Sequence, residues 1–230
     1  VRERPRNVSI QPEVHVSDLP DTPYNLWVRG ELDEYIDAPE GSRVEIIEGE
    51  IVVSPAPTLA HGTPIRYITR AFERAKFDDP DFPWEAQQMT ELNLVGVWQA
   101  FIPDLVITTG EILQAASDAD LPRLVSDEIE MAVEVTSKNG KGDDLPPKRS
   151  ERRKQGKKPN KWTGYARTEI PYYLLVDRSP KVARTTLYSI PDQGTGAYLH
   201  QESWEFGETI HLPDPFGVEI DTAHWKPWKD

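Results

Sequence analysis

Phe101-Ile102-Pro103-Asp104-Leu105-Val106-Ile107 and Met131-Ala132-Val133-Glu134-Val135-Thr136 are two short apolar runs, rich in β-branched residues, and each carries one carboxylate. Runs of this composition read as buried strands. An ionised acid in such a setting must be offset by a cation, a proton or a metal, because it loses its water on burial. Two strands that each deliver an acid to one core predict half of a metal site.

Outward from these strands, the chain reads as an α/β domain. Residues 1–21 hold prolines and charges without periodicity and are expected to form an extended arm. Thr22-Pro23 opens a helix whose apolar face holds Tyr24, Leu26, Trp27, Leu32 and Tyr35, ending near Ala38-Pro39-Glu40-Gly41. Arg43–Ile47 and Glu50–Val53, joined at Glu48-Gly49, form a hairpin. Ile65, Ile68, Ala71, Phe72 and Ala75 predict a helix from His61 to about Phe77. Strands are expected at Glu85–Leu94, Gln99–Thr108 and Glu130–Thr136, then a short helix over Trp162–Ala166 and a buried strand at Ile170–Asp177. Lys181–Leu212 reads as a hairpin plus an edge strand, followed by a tail over residues 213–230. This order predicts one domain over residues 22–212, a central mixed β-sheet flanked by helices with extra hairpins.

Composition narrows the chemistry. There is no cysteine, which removes disulfides and thiolate ligands, so any metal must be held by carboxylate or histidine. No apolar run approaches the ~20 residues of a membrane span, and an unexported, cytoplasmic protein with no membrane partner is expected. The formal net charge is −13, which disfavours general coating of nucleic acid. The exception is Pro146–Lys161, with eight basic residues against one acid. Lys148, Arg149, Arg152, Arg153, Lys154, Lys157 and Lys158, within a loop or insertion at residues 146–160, could contact phosphates, lie in solvent or fold back on the acidic body.

The order of motifs resembles a known family. Val44-Glu45-Ile46-Ile47-Glu48-Gly49-Glu50-Ile51-Val52-Val53-Ser54-Pro55-Ala56-Pro57 with His61 beyond it, Ile102-Pro103-Asp104-Leu105-Val106, Val133-Glu134-Val135-Thr136-Ser137, Lys161 with Tyr165, and Pro171-Tyr172-Tyr173-Leu174-Leu175-Val176-Asp177 are similar to the signatures of the Uma-type "putative restriction endonuclease" family. The resemblance spans about Tyr24 to Ile190. It implies the restriction-endonuclease-like fold, a Pro-Asp…(Asp/Glu)-X-Lys nuclease site, and DNA rather than RNA as the polymer.

Phosphodiester hydrolysis needs an activated water and stabilised charge on the phosphoryl oxygens, and a divalent metal supplies both. Mg²⁺, or Mn²⁺, prefers hard oxygen ligands, so Asp104, Glu134 and the Val135 carbonyl are the candidate metal ligands. Glu45 is the candidate outer carboxylate, or else an edge acid facing solvent. Asp104 could instead bind a backbone amide, and Glu134 could form a buried ion pair, for example with an arginine.

A Glu-X-Lys site would place lysine at position 136, on the same strand face as Glu134, but this chain has Thr136. The resemblance assigns the catalytic cation to Lys161, with Lys148 and Lys138 as competitors. His61 could shuttle protons, bind phosphate or cap its helix. A homodimer through the tail hairpin would suit a nuclease that cuts both strands. The expected function is a metal-dependent endonuclease; the alternative is a catalytically inactive nuclease fold that binds nucleic acid or a protein.

Overall fold

Pro103 divides the apolar run of residues 99–109 into two strands that belong to different sheets. In the computed structural model, which describes residues 15–138, 142–147 and 160–229, β1 (His15–Val16) pairs antiparallel with β2 (Ile36–Asp37). The rest of the arm, residues 1–14, lies outside the described residues, as do Lys148, Arg149, Arg152, Arg153, Lys154, Lys157 and Lys158.

A five-stranded sheet holds β3 (Arg43–Ile47), β4 (Glu50–Ser54), β6 (Glu91–Leu94), β7 (Gln99–Phe101) and β9 (Arg123–Val125), in the order β4-β3-β7-β6-β9. A six-stranded sheet holds β5 (Trp84–Gln88), β8 (Leu105–Thr109), β10 (Met131–Val135), β11 (Tyr172–Asp177), β12 (Arg184–Asp192) and β13 (Ala197–Glu205), in the order β13-β12-β11-β10-β8-β5. Each sheet contains one parallel pair, β6 with β9 and β10 with β11, so both are mixed. A small pair, β14 (Thr209–His211) with β15 (Glu219–Asp221), follows.

Helix α1 (Pro23–Arg29) begins at Thr22, whose hydroxyl accepts the Asn25 amide at 3.2 Å, and stops at Gly30 in the left-handed conformation. Leu32 and Tyr35, expected on this helix, lie beyond it, in and after a 3₁₀ turn over Leu32–Glu34. Helix α2 (Gly62–Asp78) runs close to the expected bounds. It ends where Asp79, forced towards extended backbone by Pro80, breaks the helical turn. The predicted strand Glu85–Leu94 is two strands in two sheets, with Met89 at φ 55° between them. Helix α3 (Gly110–Asp118) and β9 were not anticipated. Helix α4 (Lys161–Arg167) and the β12–β13 hairpin match expectation.

The core follows strand alternation. Leu105, Ile107, Met131, Val133, Val135, Leu174 and Val176 face α2 through Ile65, Ile68 and Phe72, with Ile210 and Ile220 closing that layer. Val106, Ala132, Tyr173 and Leu175 face α4 and the five-stranded sheet, meeting Trp162, Tyr165, Ala166, Phe101 and Leu92. Leu26 and Trp27 of α1 pack on Ile46 and Ala100. Among the described residues no helix is long and apolar enough to cross a membrane.

Candidate active site

The site forms where the two sheets diverge. Strand β3 brings two charged side chains inward, Arg43 and Glu45, because residues two apart share a face. Asp104 sits in the link between β7 and β8 rather than inside a strand. Its fixed position comes from Pro103 before it and from the Val135 amide, which donates to Asp104 Oδ2 at 2.8 Å. Glu134 occupies the middle of β10, and Asn160 caps α4 by accepting the Thr163 amide at 2.9 Å, which places Lys161 at the helix's first position.

Glu45, Asp104, Glu134 and Lys161 are each no more than 5 % exposed. Lys161 Nζ stands 2.8 Å from Glu45 Oε1, 3.0 Å from Glu134 Oε1 and 3.7 Å from Asp144 Oδ1. Tyr165, one turn along α4, donates to the same Glu134 oxygen at 2.7 Å. Glu45 Oε1 also accepts the Ile102 amide at 2.7 Å, tying β3 to the Pro-Asp link. On the other side of the cluster, Asp104 Oδ1 meets Arg43 Nη2 at 2.7 Å and His61 Nε2 at 2.9 Å. His61 Nδ1 is buried with no hydrogen-bond partner among the described residues.

Charge in this cluster is unequally shared. Burial works against ionised Asp104, but His61, Arg43 and the Val135 amide outweigh it and hold the carboxyl down at about 2. Burial drives Glu134 well above the ordinary carboxylate range, with Lys161 opposing and Asp144, Asp104 and Glu45 adding to the rise. Asp144 is pushed up to about 6 by burial, Lys161 again opposing. Burial alone would lower Lys161; Glu134, Glu45 and Asp144 reverse that and raise it. Among the described residues, four acidic side chains therefore face two permanent cations, Arg43 and Lys161, with His61 a third only when protonated. Carboxylate oxygens are the donors a hard divalent ion takes as ligands. Among the described residues, no group of three His, Asp or Glu side chains is gathered as a metal cage.

The sequence-derived candidates thus meet in one cluster: Asp104, Glu134, Glu45, Lys161 and His61. Val135 enters through its amide, which binds Asp104. Glu45 does not face solvent; it is buried beneath the Pro-Asp link. Asp104 binds a backbone amide and also takes the arginine, whereas Glu134 pairs with lysine. Thr136 is part of the framework: its hydroxyl accepts the Arg178 amide at 2.9 Å and contacts Asp177 Oδ1 at 3.3 Å. Lys138 turns away and donates to the Lys229 carbonyl at 2.9 Å. Lys148 lies outside the described residues. Arg43 and Asp144 were not proposed as site residues from sequence. The signal for Arg43 was its spacing, two residues before Glu45 on one strand face.

A mixed α/β fold with a buried Pro-Asp, Glu and Lys cluster where two sheets part defines a restriction-endonuclease-like protein. The chain belongs to the Uma2 family, described as "Putative restriction endonuclease", whose sequence model matches residues 31–223. Among solved structures, it resembles a protein from Anabaena variabilis described as a putative nuclease belonging to DUF820. That likeness has a TM-score of 0.56 and 14 % identity, covering 86 % of this chain and 92 % of that one, and it concerns the fold. No curated protein matches the chain.

Proposed function

We propose that this protein is a metal-dependent endonuclease acting on DNA. The observation that carries the reading is the surplus, among the described residues, of buried acidic side chains over permanent cations at the Pro-Asp link. Such a surplus costs folding energy unless a cation of higher charge completes the site. Asp104 and Glu134, with the Val135 carbonyl, would hold Mg²⁺ or Mn²⁺. That ion would supply charge stabilisation at the phosphoryl oxygens and lower the pKa of water.

The chain's own residues have distinct tasks. Lys161, held by Glu45 and Glu134, presents a fixed ammonium that stabilises charge developing on the phosphate. Tyr165 fixes the rotamer of Glu134. Arg43 holds Asp104 in place, and His61 Nδ1, without a hydrogen-bond partner among the described residues, offers a site for proton exchange with a bound substrate. The sequence run Lys148–Lys158, which ends shortly before Lys161, supplies phosphate contacts that offset the acidic body. DNA is preferred over RNA through the family's description.

A second reading has its own support. Every carboxylate of the cluster already meets a protein cation, which suits an inactive nuclease fold that binds nucleic acid or a protein. Calorimetric titration of Mg²⁺ and Mn²⁺ into the wild type and into Asp104→Ala/Glu134→Ala, followed by plasmid cleavage on the same samples, separates the two. Binding and cutting that both disappear in the double variant support the nuclease. Metal binding without cutting favours the inactive binder, and no metal binding removes the central claim.

A further inference from the structure

We propose that the outer edge of β13 pairs with the same strand of a second copy of this chain. β13 is nine residues long, closes one side of the six-stranded sheet, and has no strand on its outer side among the described residues. Natural edge strands are kept single by Pro, by charged side chains and above all Lys, by bulges, by shortness or by a covering element. β13 contains no Pro, Lys or Arg, its formal charges being Glu202 and Glu205, and with β12 it is the longest strand among the described residues. Leu199, on this edge, is 65 % exposed, and Ile190 on the neighbouring strand is 59 % exposed. His200, Gln201, Glu202 and Ser203 are exposed as well.

The sequence of β13 says what the occupant is. An antiparallel two-fold contact places each residue opposite a residue of the other copy in a register set by the axis. An axis through a residue keeps the same sheet face of both copies on one side; a slip by one residue would turn one copy's α2 layer towards the other's α4 layer. Among the face-preserving registers, an axis through Gln201, the midpoint of Ala197–Glu205, overlaps the whole strand. It sets His200 against the partner's Glu202 and Glu202 against the partner's His200. Moving the axis to Glu202 would oppose two identical carboxylates, and moving it to His200 would oppose two imidazoles. Pairing of an imidazole donor with a carboxylate acceptor, and overlap, therefore select the same register, and the two six-stranded sheets become continuous. This contact is independent of the nuclease reading.

Sedimentation equilibrium of the full chain tests it. The wild type is expected at twice its 26.2 kDa mass. His200→Glu, which places like charges at both crossings, is expected to weaken the dimer by roughly tenfold or more. The exchange His200→Glu/Glu202→His restores it, and Leu199→Lys, a charge on the exposed edge, weakens it. Far-ultraviolet circular dichroism checks that each variant keeps its fold. A monomeric wild type overturns the proposal, as does a dimer indifferent to both His200→Glu and Leu199→Lys. An exchange variant that stays monomeric overturns the register.

Discussion

The Tyr165 hydroxyl donates a 2.7 Å hydrogen bond to Glu134 Oε1, across 31 residues of chain. Lys161 Nζ reaches the same oxygen at 3.0 Å. Glu134 is thus well held, yet its carboxyl lies well above the ordinary range because burial and three neighbouring carboxylates outweigh Lys161.

Neutralising that group should separate stability from function. Glu134→Gln removes an acid whose ionisation burial and its carboxylate neighbours oppose, and keeps an acceptor for Tyr165 and Lys161. We expect unfolding stability in urea within about 1 kcal/mol of wild type, or higher, because a relieved repulsion offsets the weakened ion pair. Cleavage should fall by about 100-fold or more. A loss of about 3 kcal/mol would mean that Glu134 is fully compensated and that the surplus lies elsewhere.

The opposite change should be costly. Lys161→Met keeps the side chain's length and leaves Glu45 and Glu134 buried without their common cation, a loss of about 3–5 kcal/mol. Adding Glu134→Gln should recover part of it, so the double variant will be more stable than the sum of the single changes implies. Urea midpoints of the four proteins form the required cycle, and cleavage stays lost in all three variants.

Much of this site could be read from sequence because its members sit at positions where their chemistry conflicts with their neighbours. Asp104 and Glu134 are acids in apolar runs, and Glu45 lies in another, so each announced itself. Arg43 did not, because a cation at the first position of a strand is ordinary until its partner is known. Asp144 was hidden for a different reason. It reaches the cluster through the Asp143 carbonyl, which accepts the Lys161 amide at 2.9 Å, and through Asn160, which donates to the Leu145 carbonyl at 2.6 Å. Those contacts are made across a gap in sequence that periodicity does not cover. The division of one expected sheet into two had the same origin: Pro103 and Met89 turn the chain between strands whose composition is continuous.

Asp144 gives the stability a distinctive pH dependence. Its carboxyl titrates near 3.8 when unfolded and at about 6 when folded. Between those values the folded protein binds more protons than the unfolded chain, so the contribution of this group is full below 3.8 and declines as pH rises to about 6. The whole shift corresponds to about 3 kcal/mol; with the side chain 20 % exposed, about 2 kcal/mol is the better expectation. Asp104, held at about 2, acts in the opposite sense: its contribution is present above 3.8 and is lost as pH falls towards 2. Urea unfolding from about pH 4 to pH 7 should therefore show Asp144→Asn gaining on the wild type across that interval. Parallel curves would remove Asp144 from the cluster's electrostatics.

Gly164 joins the fold to the chemistry. It lies in the middle of α4, where glycine costs about 1 kcal/mol relative to alanine, so substitution by alanine would stabilise an isolated helix. In this structure an added Cβ would lie 2.7 Å from Cε2 and Cζ of Phe101 and 2.9 Å from Gln99 Oε1. Phe101 is fully buried and packs edge-on against Tyr165 with ring centroids 5.2 Å apart, so it has no room to withdraw. Overpacking of this kind costs about 1–3 kcal/mol, which exceeds the helical gain, and Gly164→Ala should lower stability by about 1–2 kcal/mol. The strain is relieved only by moving α4 away from β7, and α4 carries both Lys161 and Tyr165. Displacement of such groups by about 1 Å can cost 10²-fold in rate, so cleavage measured well below the unfolding temperature should fall although the protein remains folded. Gly62→Ala is the control for stability. No atom lies within 4 Å of its added Cβ, and its unfolding free energy should match wild type or rise. Equal effects at the two glycines would show that helix propensity, rather than the close approach of α4 to β7, governs the response.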